Sequence, residues 1–195
     1  MLLPALMKKA TLRILSVLAA TGCLATGLPI VANAQSTSGL TIFGGPQREN
    51  NLGFRLDYGT ANHPSDRYRL RIPAEKMDFA VAQFSIDYPD YYKGEFDVEL
   101  DPDKDPDDQP IEVRIRENKK YISVPLDEVV WDQENRIIEI YPSEPVPAGS
   151  RVEIVLSNVE NPRTGGMYYF NCKVLSPGDV PLLRYLGTWV LSIGS

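Results

Sequence analysis

The chain has 195 residues, and its 26 acidic side chains outnumber its 20 basic ones, giving a formal net charge of −6. An acidic protein has little electrostatic attraction for nucleic acids or anionic lipids, so the composition argues against both classes of partner. The single histidine and two cysteines are too few for the usual zinc sites or for a disulfide framework.

The N-terminal segment has the features of a secretory signal peptide. Three basic residues (Lys8, Lys9 and Arg13) are followed by an apolar stretch that continues to Val31. Ala32-Asn33-Ala34 is a small-residue cleavage site directly before Gln35. We therefore predict that residues 1–34 are removed and that the protein acts in the periplasm, in the cell envelope or outside the cell, without a stable membrane anchor.

Cleavage changes the net charge and the number of cysteines of the mature chain. The net charge falls from −6 to −9, and Cys172 remains as the only cysteine, so no internal disulfide is predicted. Two alternatives to cleavage stay open: a transmembrane anchor, and a lipoprotein acylated at Cys23. Met1 and Met7 are both acceptable translation starts, and Met7 has the more typical signal sequence after it.

After a loose polar tail at residues 35–50, residues 51–195 are predicted to form one domain of short β-strands. In Arg67–Ile72, Tyr, Leu and Ile alternate with three Arg, the pattern of a half-buried strand with a solvated outer face. Similar runs predict strands at residues 52–58, 96–100, 111–115, 136–141, 152–156, 168–174 and 188–193. Turn residues separate the runs at short intervals, which is typical of an all-β sandwich or barrel. Short helical turns are predicted at Pro73–Asp78 and near Leu126–Val130.

The acidic run Asp101–Glu112 is a candidate calcium loop. Its carboxylates occupy positions 1, 3, 5 and 12 of the EF-hand spacing, and hard oxygen ligands suit Ca²⁺. The candidate ligands are Asp101, Asp103, Asp105, Asp107 or Asp108, and Glu112. Pro106 stands where that loop needs a glycine, so the alternative is a hairpin tip that is kept soluble by its charge. No cofactor is predicted apart from calcium at this loop.

Tyr88, Tyr91 and Tyr92 surround a Pro-Asp turn and form a candidate ligand-binding surface for a sugar or a peptide. The alternative interpretation is that Tyr88 faces the core and that Tyr91 or Tyr92 caps an edge of the sandwich. Trp131 and Trp189 lie in strand-like runs and are predicted to be core residues, and Cys172 is predicted to be a small buried hydrophobe.

No catalytic constellation is predicted. His63 lies in a turn near Asp66, but no nucleophile motif, phosphate-binding loop or Cys-x-x-Cys accompanies it. The prediction is therefore a non-enzymatic binding module whose partner is an envelope protein or glycan. The rival hypothesis is an envelope glycan hydrolase that uses Asp or Glu side chains near the tyrosines.

Several turns in the C-terminal third stand in a recognisable order. They are Pro145–Gly149, Asn161-Pro162, Ser176–Gly178 and Leu186-Gly187, with Tyr168 and Phe170 between them. Together with a weaker match from Tyr68 to Asp97, they resemble a family of exported cyanobacterial proteins catalogued as domain of unknown function 2808. The resemblance implies export and an immunoglobulin-like or related β-sandwich. It implies no catalytic residues.

The signal-peptide prediction is tested by the mass of the exported protein. We expect the mature N-terminus at Gln35 or within a few residues of it, because Ala32-Asn33-Ala34 is the best cleavage site. Intact-mass spectrometry measures this directly. A full-length mass in the membrane fraction would contradict cleavage, and a diacylglyceryl adduct on Cys23 would favour the lipoprotein.

The calcium-loop prediction is tested by thermal unfolding. If the loop binds Ca²⁺, millimolar Ca²⁺ raises the melting temperature more than Mg²⁺ does, since extracellular sites bind in the range of about 10⁻⁴ to 10⁻³ M. Binding to the folded state alone stabilises it by about 2.7 kcal/mol at a hundredfold excess over Kd. Asp103→Ala should abolish the difference. Identical melting curves with Ca²⁺, Mg²⁺ and chelator would contradict calcium binding and would favour a hairpin tip that is kept soluble by its charge.

Overall fold

The structure is a computed structural model, and it describes residues 46–178 and 182–195. The predicted signal peptide at residues 1–34 and the tail up to residue 45 lie outside the described residues. Ten strands are described: β1 (Phe54–Leu56), β2 (Asp66–Ile72), β3 (Gln83–Asp87), β4 (Ile111–Glu117), β5 (Lys120–Val124), β6 (Leu126–Asp132), β7 (Ile137–Pro142), β8 (Val152–Val159), β9 (Gly166–Leu175) and β10 (Arg184–Ile193). Short 3-10 turns occupy Arg48–Asn50 and Ala74–Lys76.

The strands form two five-stranded antiparallel sheets. The first sheet has the order β1-β2-β8-β4-β5, and the second has the order β10-β9-β3-β7-β6. Only Pro125 separates β5 from β6, so the chain changes sheets at this residue. Proline suits the change because it has no N–H to donate to either ladder. The predicted all-β sandwich is confirmed.

The core lies between the two sheets, as the alternating patterns predict. On β2, Tyr68, Leu70 and Ile72 face inward and are fully buried. Cys172 is a free and fully buried thiol, which confirms its predicted role as a small hydrophobe. Trp189 is also fully buried, and its indole N–H donates to the carbonyl oxygen of Arg71 in the opposite sheet at 3.1 Å. Trp131 is half-buried and packs at the margin of the core.

Two of the predicted elements are wrong. Residues 96–100 do not form a strand. Phe96 is buried against other aromatic rings and does not pair with a neighbouring strand. The residue before it, Glu95, forms one isolated bridge, to Glu160. Leu126–Val130 is part of strand β6 and not a helical turn, since it pairs with β7 along its length. Tertiary pairing therefore overrides local propensity here. The other predicted helical turn is confirmed in shorter form, at Ala74–Lys76.

A buried carboxylate organises one end of the sandwich. Asp66 is 1% exposed, and it accepts hydrogen bonds from the backbone N–H groups of Tyr58, Gly59 and Arg67 at 2.7 to 3.0 Å. The Asn161 side chain adds a fourth bond at 2.9 Å and accepts one from the Tyr68 hydroxyl. Asp66 therefore holds the loop before β2 against the turn after β8.

The environment of Asp66 favours the ionised carboxylate. Burial raises the pKa of this carboxyl, but the Asn161 side chain and three backbone N–H groups outweigh burial, and the pKa lies below its ordinary value. A lowered folded-state pKa stabilises the fold at pH values above the unfolded-state pKa of about 3.9. This stabilisation is lost as the pH falls through the folded-state pKa.

We expect Asp66→Asn to lower the free energy of unfolding at neutral pH by about 1–3 kcal/mol, because an amide is a weaker acceptor and turns N–H groups toward the backbone donors. The difference from wild type should shrink as the pH falls through the folded-state pKa, because the wild-type carboxyl is then protonated too. Urea unfolding at pH 7 and at a series of acidic pH values measures this. Asp90→Asn, at an exposed loop carboxylate, is the matched control. Equal stability of Asp66→Asn and wild type at pH 7 would contradict the argument.

Candidate functional site

Strand β8 lies at the centre of the first sheet and is buried on both faces. Its outward-facing Glu153 and Ser157 are almost fully buried, and Val155 between them is completely so. In the sheet register, Glu153 lies between Arg71 of β2 and Arg114 of β4. The long arginine side chains of the neighbouring strands therefore border the outer surface of β8.

Two buried carboxylates neutralise part of this arginine layer. The Arg71 Nε donates to Glu153 at 2.9 Å. Arg114 donates to both oxygens of Glu112, at 2.8 and 2.7 Å, and the Ser123 hydroxyl donates a third bond at 3.2 Å. Burial raises the pKa of the Glu112 carboxyl, and Arg114 and Ser123 offset burial only in part. The ion pairs therefore compensate the carboxylate charges of Glu153 and Glu112, which are buried away from water in the sheet.

At one end of the first sheet, two further arginines have no such compensation. An open groove of about 460 Å³ is lined there by three arginines and no acidic residue. We call it the arginine groove; its lining residues are Gly53, Arg71, Ile72, Pro73, Arg116, Tyr121 and Arg151. Within residues 46–178 and 182–195, neither Arg116 nor Arg151 has a carboxylate within salt-bridge distance.

Backbone pairing sets the two uncompensated arginines side by side. The N–H of Arg116, near the end of β4, donates to the carbonyl of Arg151 at 2.9 Å, just before β8 begins. A tight turn precedes Arg151, and Gly149 adopts a φ of +73° there, a conformation that favours glycine. The N–H of Gly149 also donates to the carbonyl of Met77, which anchors the turn.

An aromatic ring forms the far wall of the groove. Tyr121 on β5 is 38% exposed, and the Arg116 guanidinium lies over its ring at 6.0 Å from the centroid. Such a cation–π contact favours one arrangement of both groups. At the opposite end, Gly53 has open space where a Cβ would project, so no side chain closes the groove. The groove therefore offers cationic groups beside an apolar ring.

The tyrosine surface predicted from the sequence does not form. Tyr88 and Tyr92 are buried in the core, where their rings pack against Phe170, and the Tyr92 hydroxyl contacts that of Tyr68 at 3.1 Å. The Tyr92 N–H donates to the carbonyl of Pro89, and this turn directs Tyr92 inward. Only Tyr91 is exposed, and it stacks on Tyr168 with centroids 5.6 Å apart. The three side chains therefore do not make one ligand-binding face.

The candidate calcium ligands are not gathered around one point. Glu112 lies within β4 and pairs with Arg114, away from the loop tip. In the loop, the Asp103 N–H donates to the Asp101 carboxylate, while Asp105 and Asp107 are exposed. The part of the chain that the structure describes holds no group of three or more His, Cys, Asp or Glu side chains placed to hold a metal ion. Calcium binding stays a prediction, with the melting experiment as its test.

One residue that the sequence analysis overlooked closes the acidic loop. The Gln109 side chain accepts a hydrogen bond from the Asp101 N–H at 2.9 Å and donates to the carbonyls of Asp101 and Lys104. A second open groove, of about 450 Å³, lies where this loop approaches β4 and β5. Asp107, Arg114 and Tyr121 are among its lining residues. Neither groove contains a pair of carboxylates of the kind that a glycosidase needs.

His63, the only histidine, also has a local role. Its ring stacks on Tyr58 with centroids 3.9 Å apart, and its Nδ1 accepts a hydrogen bond from the Ser65 N–H at 3.3 Å. Asp66, its nearest acidic residue in sequence, is bound by the backbone groups described above. Among the described residues there is no helix long and apolar enough to cross a bilayer.

The arginine groove was missed because its residues come from four separate segments. The alternation in Arg67–Ile72 predicts a solvated face for Arg67, Arg69 and Arg71, and the net charge of the chain does not locate a basic patch. A usable signal was present in β4, where Glu112, Arg114 and Arg116 alternate with apolar residues just as the arginines of β2 do. Two strands with this pattern in one sheet would indicate a basic sheet face, but β2 and β4 join the same sheet only because each of them pairs with β8.

Several solved structures are similar to part of this chain, each at low sequence identity. The collagen-binding subdomain of the Enterococcus faecalis surface protein ACE is 9% identical, with a TM-score of 0.38, and the match covers 71% of this chain and 95% of that chain. A Staphylococcus aureus collagen-binding adhesin domain is 11% identical, with a TM-score of 0.36 and coverage of 71% and 93%. An uncharacterised Nocardia farcinica protein described as having an immunoglobulin-like fold is 12% identical, with a TM-score of 0.37 and coverage of 74% and 99%. At these values the likeness supports no further statement about this chain.

A search of curated proteins found no match to the sequence. A family model does match, and it covers residues 40–193, which include all ten strands of the sandwich. Its description is a protein of unknown function, and it is the family that the order of turns in the C-terminal third resembles. The chain therefore belongs to the DUF2808 family of proteins of unknown function.

Proposed function

We propose that this protein is an exported, non-catalytic binding module that holds anionic groups of a cell-envelope partner in the arginine groove. The observation that carries the proposal is the groove's lining, with three arginines and no carboxylate on a chain whose net charge is −6. Export rests on the signal peptide predicted at residues 1–34.

Arginine is well suited to this task. The guanidinium is always charged, and its planar fork donates two parallel hydrogen bonds to a carboxylate, sulfate or phosphate. Arg116 and Arg151 are exposed and have no carboxylate partner among the described residues, so an anion does not have to displace an existing ion pair to reach them. Arg71 keeps its bond to Glu153 through Nε, which leaves its terminal nitrogens for a ligand.

The surrounding charge gives the groove its selectivity. The acidic loop at residues 101–108 and the other carboxylates of the chain repel an anionic partner. Such a partner is therefore directed toward the end of the first sheet where Arg116 and Arg151 stand together. Electrostatic complementarity of this kind contributes to the rate and the specificity of association more than to raw affinity.

The groove supports binding rather than catalysis by the nature of its side chains. Its lining has no nucleophile and no pair of groups able to act as general acid and general base. Tyr121 and the arginines can orient and hold an anion, and the lining adds no carboxylate or histidine beside them.

We expect the double variant Arg116→Glu/Arg151→Glu to lose binding to a sulfated dextran probe at low salt, because both positive charges become repulsive. The wild-type protein should be retained, and its retention should fall as salt is added. Affinity chromatography over a salt gradient measures both results, with the melting temperature as the check on folding.

The control is Arg163→Glu, which reverses one positive charge, half the charge change of the double variant, in the exposed turn after β8, at the other end of that strand from Arg151. This variant should be retained like the wild type after allowance for net charge. Failure of the wild type to bind, or an equal loss in Arg163→Glu, would contradict an arginine groove that holds anions.

A further inference from the structure

The arginine groove runs across the first sheet rather than along a strand. Its lining residues come from all five strands or the residues next to them: Gly53 before β1, Arg71–Pro73 at the end of β2, Arg151 before β8, Arg116 on β4 and Tyr121 on β5. Four inter-strand gaps of about 4.8 Å give a length of about 19 Å. A single inorganic anion fills only part of such a groove, whereas a segment of a linear polymer fills it.

On this basis we propose that the ligand is a linear acidic polysaccharide that lies across the strand ends, with its acid groups on the arginines and one sugar ring against Tyr121. This inference rests on the proposed function, since it names the chemical class of the anionic partner at the same site.

The spacing of the positive groups favours a glycan over an acidic peptide. Arg71, Arg151 and Arg116 belong to three neighbouring strands, β2, β8 and β4, whose axes lie about 4.8 Å apart. An extended peptide presents side chains to one face only at every second residue, about 6.6 Å apart. A linear glycan with one acid group on each sugar carries a charge on every ring, so neighbouring rings can each offer an acid group to one of the three flexible arginine side chains.

The uncharged part of the lining also suits sugar rings. Tyr121, Ile72 and Pro73 supply apolar surface between the guanidinium groups. A sugar ring has an apolar C–H face and polar edges, and tyrosine offers an apolar ring with a polar tip to match. The open space at Gly53 lets the chain approach the backbone at the other end.

The charges beside the second groove limit how far the polysaccharide extends along the sheet face. Beyond Tyr121 lies the second groove, in which Arg114 is already paired with Glu112 and Asp107 adds a negative charge. An acid group placed there meets repulsion and no free cation. Tyr121 therefore stands at the boundary between the half of the sheet face that attracts the ligand and the half that repels it.

The test compares two probes of equal charge: a galacturonic acid oligomer and a glutamate oligomer. By isothermal titration calorimetry, we expect the galacturonate oligomer to bind about tenfold more tightly, and its methyl-esterified form not to bind. Tyr121→Ala should weaken galacturonate binding by about tenfold, in line with the loss of one aromatic contact, and should weaken glutamate binding less, because only a sugar ring packs on Tyr121. Tyr121→Phe should bind like the wild type, which separates stacking from misfolding. The control Tyr185→Ala removes an exposed tyrosine of β10 in the other sheet.

The outcomes separate this inference from the proposed function. If the glutamate oligomer binds as tightly as galacturonate, or if Tyr121→Ala weakens both probes alike, the polysaccharide is the wrong class and the anion-binding function stands. If the methyl-esterified oligomer binds equally well, the arginines do not recognise the acid groups and this inference is overturned. If neither charged probe binds the wild type, this inference is overturned, and the sulfated dextran experiment decides whether the anion-binding function stands.

Discussion

The structure depends on the burial of strand β8 on both of its faces. A strand covered on its inner face by the core and on its outer face by neighbouring side chains must have every outward polar group compensated. Glu153 meets this constraint through Arg71 on β2, while Glu112 on β4 meets it through Arg114. The arginine layer of the first sheet is thus a structural requirement before it is a binding surface. The groove lies at the start of β8, where Arg116 and Arg151 extend the arginine layer but no carboxylate pairs with them.

This origin explains how an acidic protein presents a cationic site. The net charge of −6 describes the chain as a whole, whereas the sheet gathers arginines from β2, β4 and the start of β8 on one face. The acidic residues are concentrated elsewhere, most densely at 101–108. An argument from net charge alone therefore excludes polyanions too broadly. It applies to the average surface, whereas the arginine groove is lined by three arginines and no acidic residue.

The periodic parts of the fold were predictable from the sequence, and the reasons are local. On β2, the alternation of Tyr68, Leu70 and Ile72 with arginines assigns an inner and an outer face without knowledge of any partner strand. Cys172 followed from the same argument. The site was not predictable in this way, because Arg71 and Arg151 are 80 positions apart and meet only through β8. The tyrosine surface was not predictable for a similar reason. The turn at Pro89 directs Tyr92 into the core, where its hydroxyl contacts that of Tyr68 and its ring packs against Phe170.

The central claim is that Arg116 and Arg151 form an anion site on the outer face of the first sheet. Nuclear magnetic resonance of the arginine Nε–Hε groups, during a titration with galacturonate oligomer, observes these side chains directly. The account predicts saturable shifts at Arg116 and Arg151, a smaller shift at Arg71, whose Nε already donates to Glu153, and none at Arg163. Equal, unsaturable shifts at all arginines, or saturable shifts confined to arginines outside the groove, would contradict it.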